Sequence, residues 1–303
     1  MGKRLISPSM SGITESLPPM NSLHQSKYSI FTRTAQRGLT LVELVVTIVL
    51  MGILAGGTVA YVVSSTQSYV DTATRNQLSA IGRLTTARLE LEIANAVPNS
   101  VRVTTPSSGN QCIEFMPVAD ATRYLGVNFD AASTSLTVKP FATGSSMSGK
   151  KFPVIFPIAP SLLYAQTSPG PMGAITSYSR SVSGDVETLT LDSAHQFKPG
   201  TSLQRLYLGG EPVSFCVQGT KMYRYKNYGV KTAQCTPATA ACLPTTPPNR
   251  AVVSDQLVNA SYTAFEYDSG GLQRNGLVRL NLNFSDGTES LLIQHEIQIN
   301  NVP

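Results

Sequence analysis

An apolar run from position 39 to position 63, interrupted by one charge at Glu43, constrains this chain more than any other feature. Its 25 residues exceed the roughly 20 that a helix needs to cross the hydrocarbon core of a bilayer, so a membrane-length helix is predicted here. An ionised carboxylate inside such a span is costly unless it meets a partner. The sequence supplies one in a single circumstance. Cleavage after Gly38 would place a new positive amine on Leu39, four residues before Glu43.

A formal net charge of +5 invites a nucleic-acid reading, but the charge is unevenly placed. Lys3, Arg4, Lys27, Arg33 and Arg37 against Glu15 give residues 1–38 a charge of +4, and the remainder carries only +1. A nearly neutral domain offers no basic patch to a phosphate backbone, so no nucleic-acid contact is expected for it. The leader charges instead follow the positive-inside rule. They keep the N-terminus cytoplasmic and send everything after residue 63 across the membrane. Because the cut would precede the apolar run, this is not an ordinary secretory signal peptide, and the span survives processing. Met10 and Met20 are alternative starts, and residues 1–30, rich in Ser and Pro, read as disordered.

Arg37-Gly38-Leu39-Thr40-Leu41-Val42-Glu43 resembles the type IV prepilin signature, a basic leader ending in Gly before an apolar helix with Glu at its fifth mature position. The competing reading is a signal anchor that happens to contain a Glu. Leu39 departs from the Phe or Met usual at the first mature position, which bears on efficient N-methylation. The resemblance implies an α+β, type IV pilin-like fold: a long N-terminal helix packed on an antiparallel sheet. It implies a prepilin peptidase that cuts between Gly38 and Leu39 and methylates Leu39, with Glu43 neutralising the amine of Leu39 or of a neighbouring subunit. Implied partners are other major and minor pilins, the inner-membrane assembly platform and the membrane itself. The expected location is the inner membrane, single-pass with a periplasmic C-terminal domain, and then the pilus at the cell surface.

No proline occurs from Leu39 to Val97, so one continuous helix is predicted, about 90 Å long at about 1.5 Å per residue, ending before Pro98. Its second half is expected to bury a stripe of Leu78, Ile81, Leu84, Ala87, Leu91 and Ala94, with Arg75, Arg83 and Arg88 solvated. Leu89, Leu91 and Ile93 alternate like a strand, but the surrounding helix formers outweigh that cue. Gly52 and Gly56 match a small-residue helix-packing motif, with Gly57 beside them. The expected organisation is therefore a cleaved leader over 1–38, a membrane or fibre-core helix over 39–63, an amphipathic continuation over 64–97, and an antiparallel β-rich periplasmic domain over 98–303.

Within that last segment, residues 112–118 and 136–138 read as strands. Residues 153–163, interrupted by Pro157 and Pro160, read as a loop or broken edge strand. Residues 164–184 read as an exposed excursion. Residues 186–191, 206–208, 213–217 and 221–225 read as a meander turning at Gly209-Gly210 and Gln218-Gly219. The clearest signal is a hairpin. Val278, Leu280, Leu282 and Phe284 alternate with polar residues, Asp286-Gly287 turns the chain, and Ile293, His295, Ile297 and Ile299 alternate again.

Cys112, Cys216, Cys235 and Cys242 all lie on the oxidising side and favour two disulfides among three connectivities. The preferred pairing closes a short loop with Cys235 and Cys242 and ties two strand-like segments with Cys112 and Cys216. Zinc is disfavoured because no Cys forms a C-x2-C pair. No catalytic constellation, cofactor motif or metal centre emerges, and three histidines leave little for acid-base work. His295 reads as a core or half-buried residue with a backbone partner; His195 and His24 are isolated. Asp185, Glu187 and Asp192 lack a compact calcium loop and read as a solvated strand face. Tyr223-Arg224-Tyr225, followed by Lys226 and Tyr228, reads as sheet packing in preference to a sugar platform.

A segment of 265 residues after Gly38 suits a larger minor subunit. Pro212-Val213-Ser214-Phe215-Cys216, Tyr223-Arg224-Tyr225 and the ending Asn300-Asn301-Val302-Pro303 resemble the minor pilins of mannose-sensitive haemagglutinin pili. That resemblance implies a non-enzymatic subunit that helps initiate a pilus and contributes to adhesion. The alternatives are a J-like minor pseudopilin of type II secretion and a membrane-anchored carbohydrate-binding domain. A K-like pseudopilin is disfavoured because that class typically lacks the carboxylate present here as Glu43.

Overall fold

A computed structural model describes residues 38–107, 110–142, 149–176, 181–200, 203–237, 242–259, 263–269 and 275–299. The leader, Met10, Met20, His24, Arg37 and the ending Asn300-Asn301-Val302-Pro303 lie outside them. The chain divides into two compact units, Met1–Ala60 and Tyr61–Pro303. The helix α1 (Leu41–Ala94) begins in the first and ends in the second.

After α1 come β1 (Arg102–Val103), β2 (Gln111–Phe115), β3 (Val118–Gly126), β4 (Ser133–Val138) and β5 (Phe152–Val154). A short helix α2 (Pro160–Tyr164) precedes β6 (Ser181–Ser183), β7 (Val186–His195), β8 (Arg205–Gly209), β9 (Val213–Gln218) and β10 (Lys221–Tyr225). The chain closes with β11 (Arg250–Ser254), β12 (Phe265–Asp268), β13 (Gly276–Ser285) and β14 (Ser290–Ile299). They form three antiparallel sheets, ordered β1-β2-β9-β10-β11, β12-β13-β14 and β5-β8-β3-β4-β7-β6. The layout is α+β and fits a type IV pilin-like fold, with the later part of α1 laid on antiparallel sheets.

The principal core of the second unit joins that part of α1 to two sheets. Leu78, Leu89 and Ile93 meet Phe115, Phe215, Phe265, Leu280 and Phe284, all almost fully buried. Each such side chain contributes about 1.5–3 kcal/mol through burial, which fixes the helix on its sheets. The six-stranded sheet has its own core around Leu136, Val138, Leu189, Phe197, Leu206 and Leu208.

The buried helix face differs from the predicted stripe. Leu84 is 74% exposed and Leu91 69% exposed, while the buried residues are Leu78, Gly82, Thr85, Thr86, Leu89 and Ile93. The reason is space. A Cβ at Gly82 would collide with Ile293 Cδ1 and press on Phe284, so a glycine lets the helix approach β14 closely. Thr85 and Thr86 hide their hydroxyls by donating to the carbonyls of Ile81 (2.8 Å) and Gly82 (2.7 Å). Polar-looking residues thereby line an apolar contact. The helix also stops at Ala94, short of residue 97, because Ala96 pairs with Pro117 and Val97 N–H donates to Met116 O (2.7 Å).

Polar clasps reinforce this seam. Arg75 grips Glu289 through Nε and Nη2 (3.2 and 3.1 Å), so it is not merely solvated. Glu92 joins Arg224 of β10 (2.8 Å) to Arg88 one turn earlier (3.5 Å).

The C-terminal hairpin appears in the expected phase, pairing Leu280 with His295 and Phe284 with Leu291. Elsewhere, local reading misplaces connections. Only β9 and β10 form the expected hairpin, since Gly209-Gly210 carries the chain from one sheet into another. Residues 153–163 contain an edge strand end, β5, and most of α2. Residues 164–184 are not a uniformly exposed excursion: Tyr164, Met172 and Ile175 are buried.

Candidate functional site

Gly38, Leu39 and Thr40 are exposed and non-helical, immediately ahead of α1. Thr40 is the N-cap: its carbonyl accepts the first helical bond from Leu44 N–H (3.1 Å), and its Oγ1 accepts from Glu43 N–H (3.2 Å). This is the hydroxyl half of a capping box, whose Thr-x-x-Glu spacing is itself a local sequence signal. Glu43 is thereby fixed in the first turn, at the positive end of the helix dipole. The Gly38–Leu39 bond stays outside the helix, with nothing within 4 Å of a Cβ built at Gly38.

Beyond the cap, every residue from 41 to 70 is exposed, including Leu41 at 80% and Met51 at 69%. An 18-residue window within α1 reaches a mean hydropathy of 2.2, long and apolar enough to cross a membrane. Both threonine hydroxyls between residues 41 and 63 are satisfied internally. Thr47 donates to Leu44 O (2.8 Å) and Thr58 to Leu54 O (2.9 Å), as an apolar surrounding requires. Gly52, Gly56 and Gly57 present open backbone with no atom near a Cβ position.

The other candidate residues do not converge. His295 is half-buried against Glu90 (3.1 Å), a carboxylate and not the expected backbone group. His195 Nε2 lies 3.0 Å from Gly170 O, with its ring edge-on to Phe197. Glu187 is fully buried and accepts from Phe141 N–H (2.9 Å), so the solvated-face reading fails there. Asp192 is held by Thr176, whose N–H and hydroxyl keep its carboxyl below the usual range. Among the described residues no group of three or more His, Cys, Asp or Glu is placed to hold a metal. Tyr223 lies under the Arg250 guanidinium (3.8 Å) and Tyr225 is buried, so neither ring is open to a sugar.

The cysteines pair as Cys112–Cys216 and Cys235–Cys242. Cys112 and Cys216 face each other directly in the β2–β9 register, with Cα atoms 4.1 Å apart. Beside them lies an ion pair that sequence reasoning missed. Fully buried Glu114 meets Arg102 at 3.0 Å, and Arg102 also donates to the carbonyls of Thr232 (2.6 Å) and Lys231 (2.7 Å) while stacking on Tyr164 (3.7 Å). The pair thus pins the segment leading to Cys235 onto the sheet. Glu114 Oε2 and Arg102 Nε are left buried without a protein partner. Burial accordingly pushes the Glu114 carboxyl up, with Arg102 only partly opposing it, and holds the Tyr164 and Tyr228 phenols well above their usual range.

A raised carboxyl means that the folded state holds its proton more tightly than the unfolded chain does. The Glu114 contribution is therefore fully present below the ordinary glutamate range and is lost as pH rises through the folded value. From the ordinary glutamate range upward, the stability of the parent chain relative to Glu114→Gln is expected to fall as pH rises. Denaturant midpoints of both chains across that window check it, and a pH-independent difference refutes it.

A family model described as the prokaryotic N-terminal methylation motif matches residues 33–59. No curated protein and no solved structure matches the chain. The motif indicates a type IV pilin or pseudopilin that is a substrate of a prepilin peptidase, and it implies assembly with other pilins. The family it marks is structural, not catalytic, and its apolar helix fits anchoring in the inner membrane.

Proposed function

We propose that this chain is a minor pilin of the mannose-sensitive haemagglutinin type, close to the O-type subunit of those pili, and that it helps initiate the fibre and contributes to adhesion. Prepilin peptidase cuts between Gly38 and Leu39 and methylates Leu39. The leader 1–38 is discarded, residues 39–63 wait in the inner membrane and then enter the fibre core, and residues 98–303 face the periplasm. One observation carries this reading: an exposed, non-helical Gly38–Leu39 bond stands directly before a Thr40-capped helix with Glu43 in its first turn. A protease needs an extended substrate, and the cap at Thr40 keeps the scissile bond out of the helix. The assignment to this pilus class rests on the resemblance carried by residues 212–216 and 223–225.

Mass spectrometry of the protein purified from membranes is expected to find an N-terminus at Leu39 carrying one methyl group. Gly38→Glu is expected to retain the leader, because the substituted side chain enters the peptidase site where glycine has none. An intact leader on the parent chain overturns the proposal.

A further inference from the structure

The second unit contains a cleft of about 260 Å3. The segment after β5 supplies Phe156 and Ile158, α2 supplies Leu162, and two later segments supply Pro169, Pro171 and Lys198. Its walls are set before anything binds. Gly170 N–H donates to Gln196 O (3.0 Å), Gln196 N–H to Ser168 Oγ (2.9 Å) and Ile155 N–H to Pro171 O (2.9 Å). A Cβ at Gly170 would strike Thr167 O, so the backbone there packs as only glycine allows. Phe156 holds φ 49°, a left-handed conformation that an aromatic residue keeps only where its surroundings impose it. Such a preformed site spares a ligand the cost of ordering it.

The lining chemistry narrows the ligand. Apart from Thr167 and Lys198 the lining side chains are apolar, and Ile158 is 52% exposed at the mouth. A sugar or nucleotide needs several convergent polar groups, which these residues do not supply. Lys198 is exposed and pairs with no carboxylate among the described residues, so one cation is free at the rim of an apolar cleft. We propose that the cleft binds a single aliphatic chain ending in a carboxylate, the chain seated between Phe156, Leu162 and the prolines and the carboxylate paired with Lys198. This site is independent of the processing reading at Gly38.

The test uses the full chain in phosphatidylcholine nanodiscs, photolabelled with octanoate bearing a diazirine on its chain and mapped by mass spectrometry. Adducts are expected within residues 156–171, displaced by octanoate and about tenfold less effectively by octanol, which lacks the charge. Lys198→Glu is expected to cut this labelling about tenfold, and Ile158→Trp, filling an exposed mouth position, to abolish it. Both variants should retain processing at Leu39, so failure here is separable from failure of the pilin reading. Adducts confined to residues 39–63, equal displacement by octanol, or unchanged labelling in Lys198→Glu would overturn the proposal.

Discussion

Replacing Cys112 and Cys216 together by alanine is expected to lower the stability of the sheet domain by about 4–5 kcal/mol. The bridge joins residues 104 apart, so its loss frees a long loop in the unfolded chain, and loop-closure entropy grows with the logarithm of loop length. The same replacement at Cys235 and Cys242, only 7 apart, is expected to cost about 2 kcal/mol. Native contacts point the same way. Cys112 and Cys216 are buried with Tyr225 at the centre of the five-stranded sheet, where truncation also leaves a void. Against a typical domain stability of about 5–15 kcal/mol, the first loss brings the domain close to unfolding. Guanidinium unfolding followed by tyrosine emission measures both, since the chain has no Trp. A larger loss from the short bridge would refute the ordering.

What the sequence disclosed follows from the range of each interaction. The hairpin of β13 and β14 is legible because alternation, a turn residue and alternation again are all local, and one buried face sets the phase. The membrane-length helix is legible for the same reason. The face that α1 presents to the sheets is not, because hydrophobicity is a poor guide where close approach decides. Gly82, Thr85 and Thr86 are buried for their size, whereas Leu84 and Leu91 stay exposed. Strand partners suffer similarly: β8 and β9 are consecutive in the chain yet lie in different sheets, a choice made by long-range packing. Glu187 reads as solvent-facing in a strand pattern, and nothing local marks Glu114 as half of a buried ion pair, because their partners, the Phe141 backbone and Arg102, are 46 and 12 residues away. At the candidate site, Gly38, Leu39 and Glu43 stand out in the sequence as the proposed processing and assembly residues, and the Thr40 cap follows from a local Thr-x-x-Glu spacing.

The largest functional effect is expected at Glu43. Changing it to Ala or Gln should leave insertion and cleavage intact, because the Gly38–Leu39 bond lies outside the helix that Thr40 caps and the apolar run is unaltered. Incorporation into fibres should be lost. On the proposed processing, Leu39 becomes the N-terminus and its ammonium sits beside the positive end of the α1 dipole, a position that disfavours a cation. In water that cost is small, but among packed apolar helices an unpaired buried charge costs about 3–5 kcal/mol. That is a factor of roughly 100 to several thousand in partitioning between membrane and fibre. Glu43, in the first helical turn, is the one carboxylate in the apolar run that can neutralise the amine of its own chain or of a neighbour. Glu43→Gln separates charge from shape, since it keeps the side-chain volume and loses only the negative charge. The measurement compares sheared fibres with membranes by immunoblot, alongside the mass of the mature N-terminus. Processed protein that stays in the membrane in both variants is the expected result. Normal incorporation of Glu43→Gln would show that side-chain shape, not charge, is what the helix bundle reads.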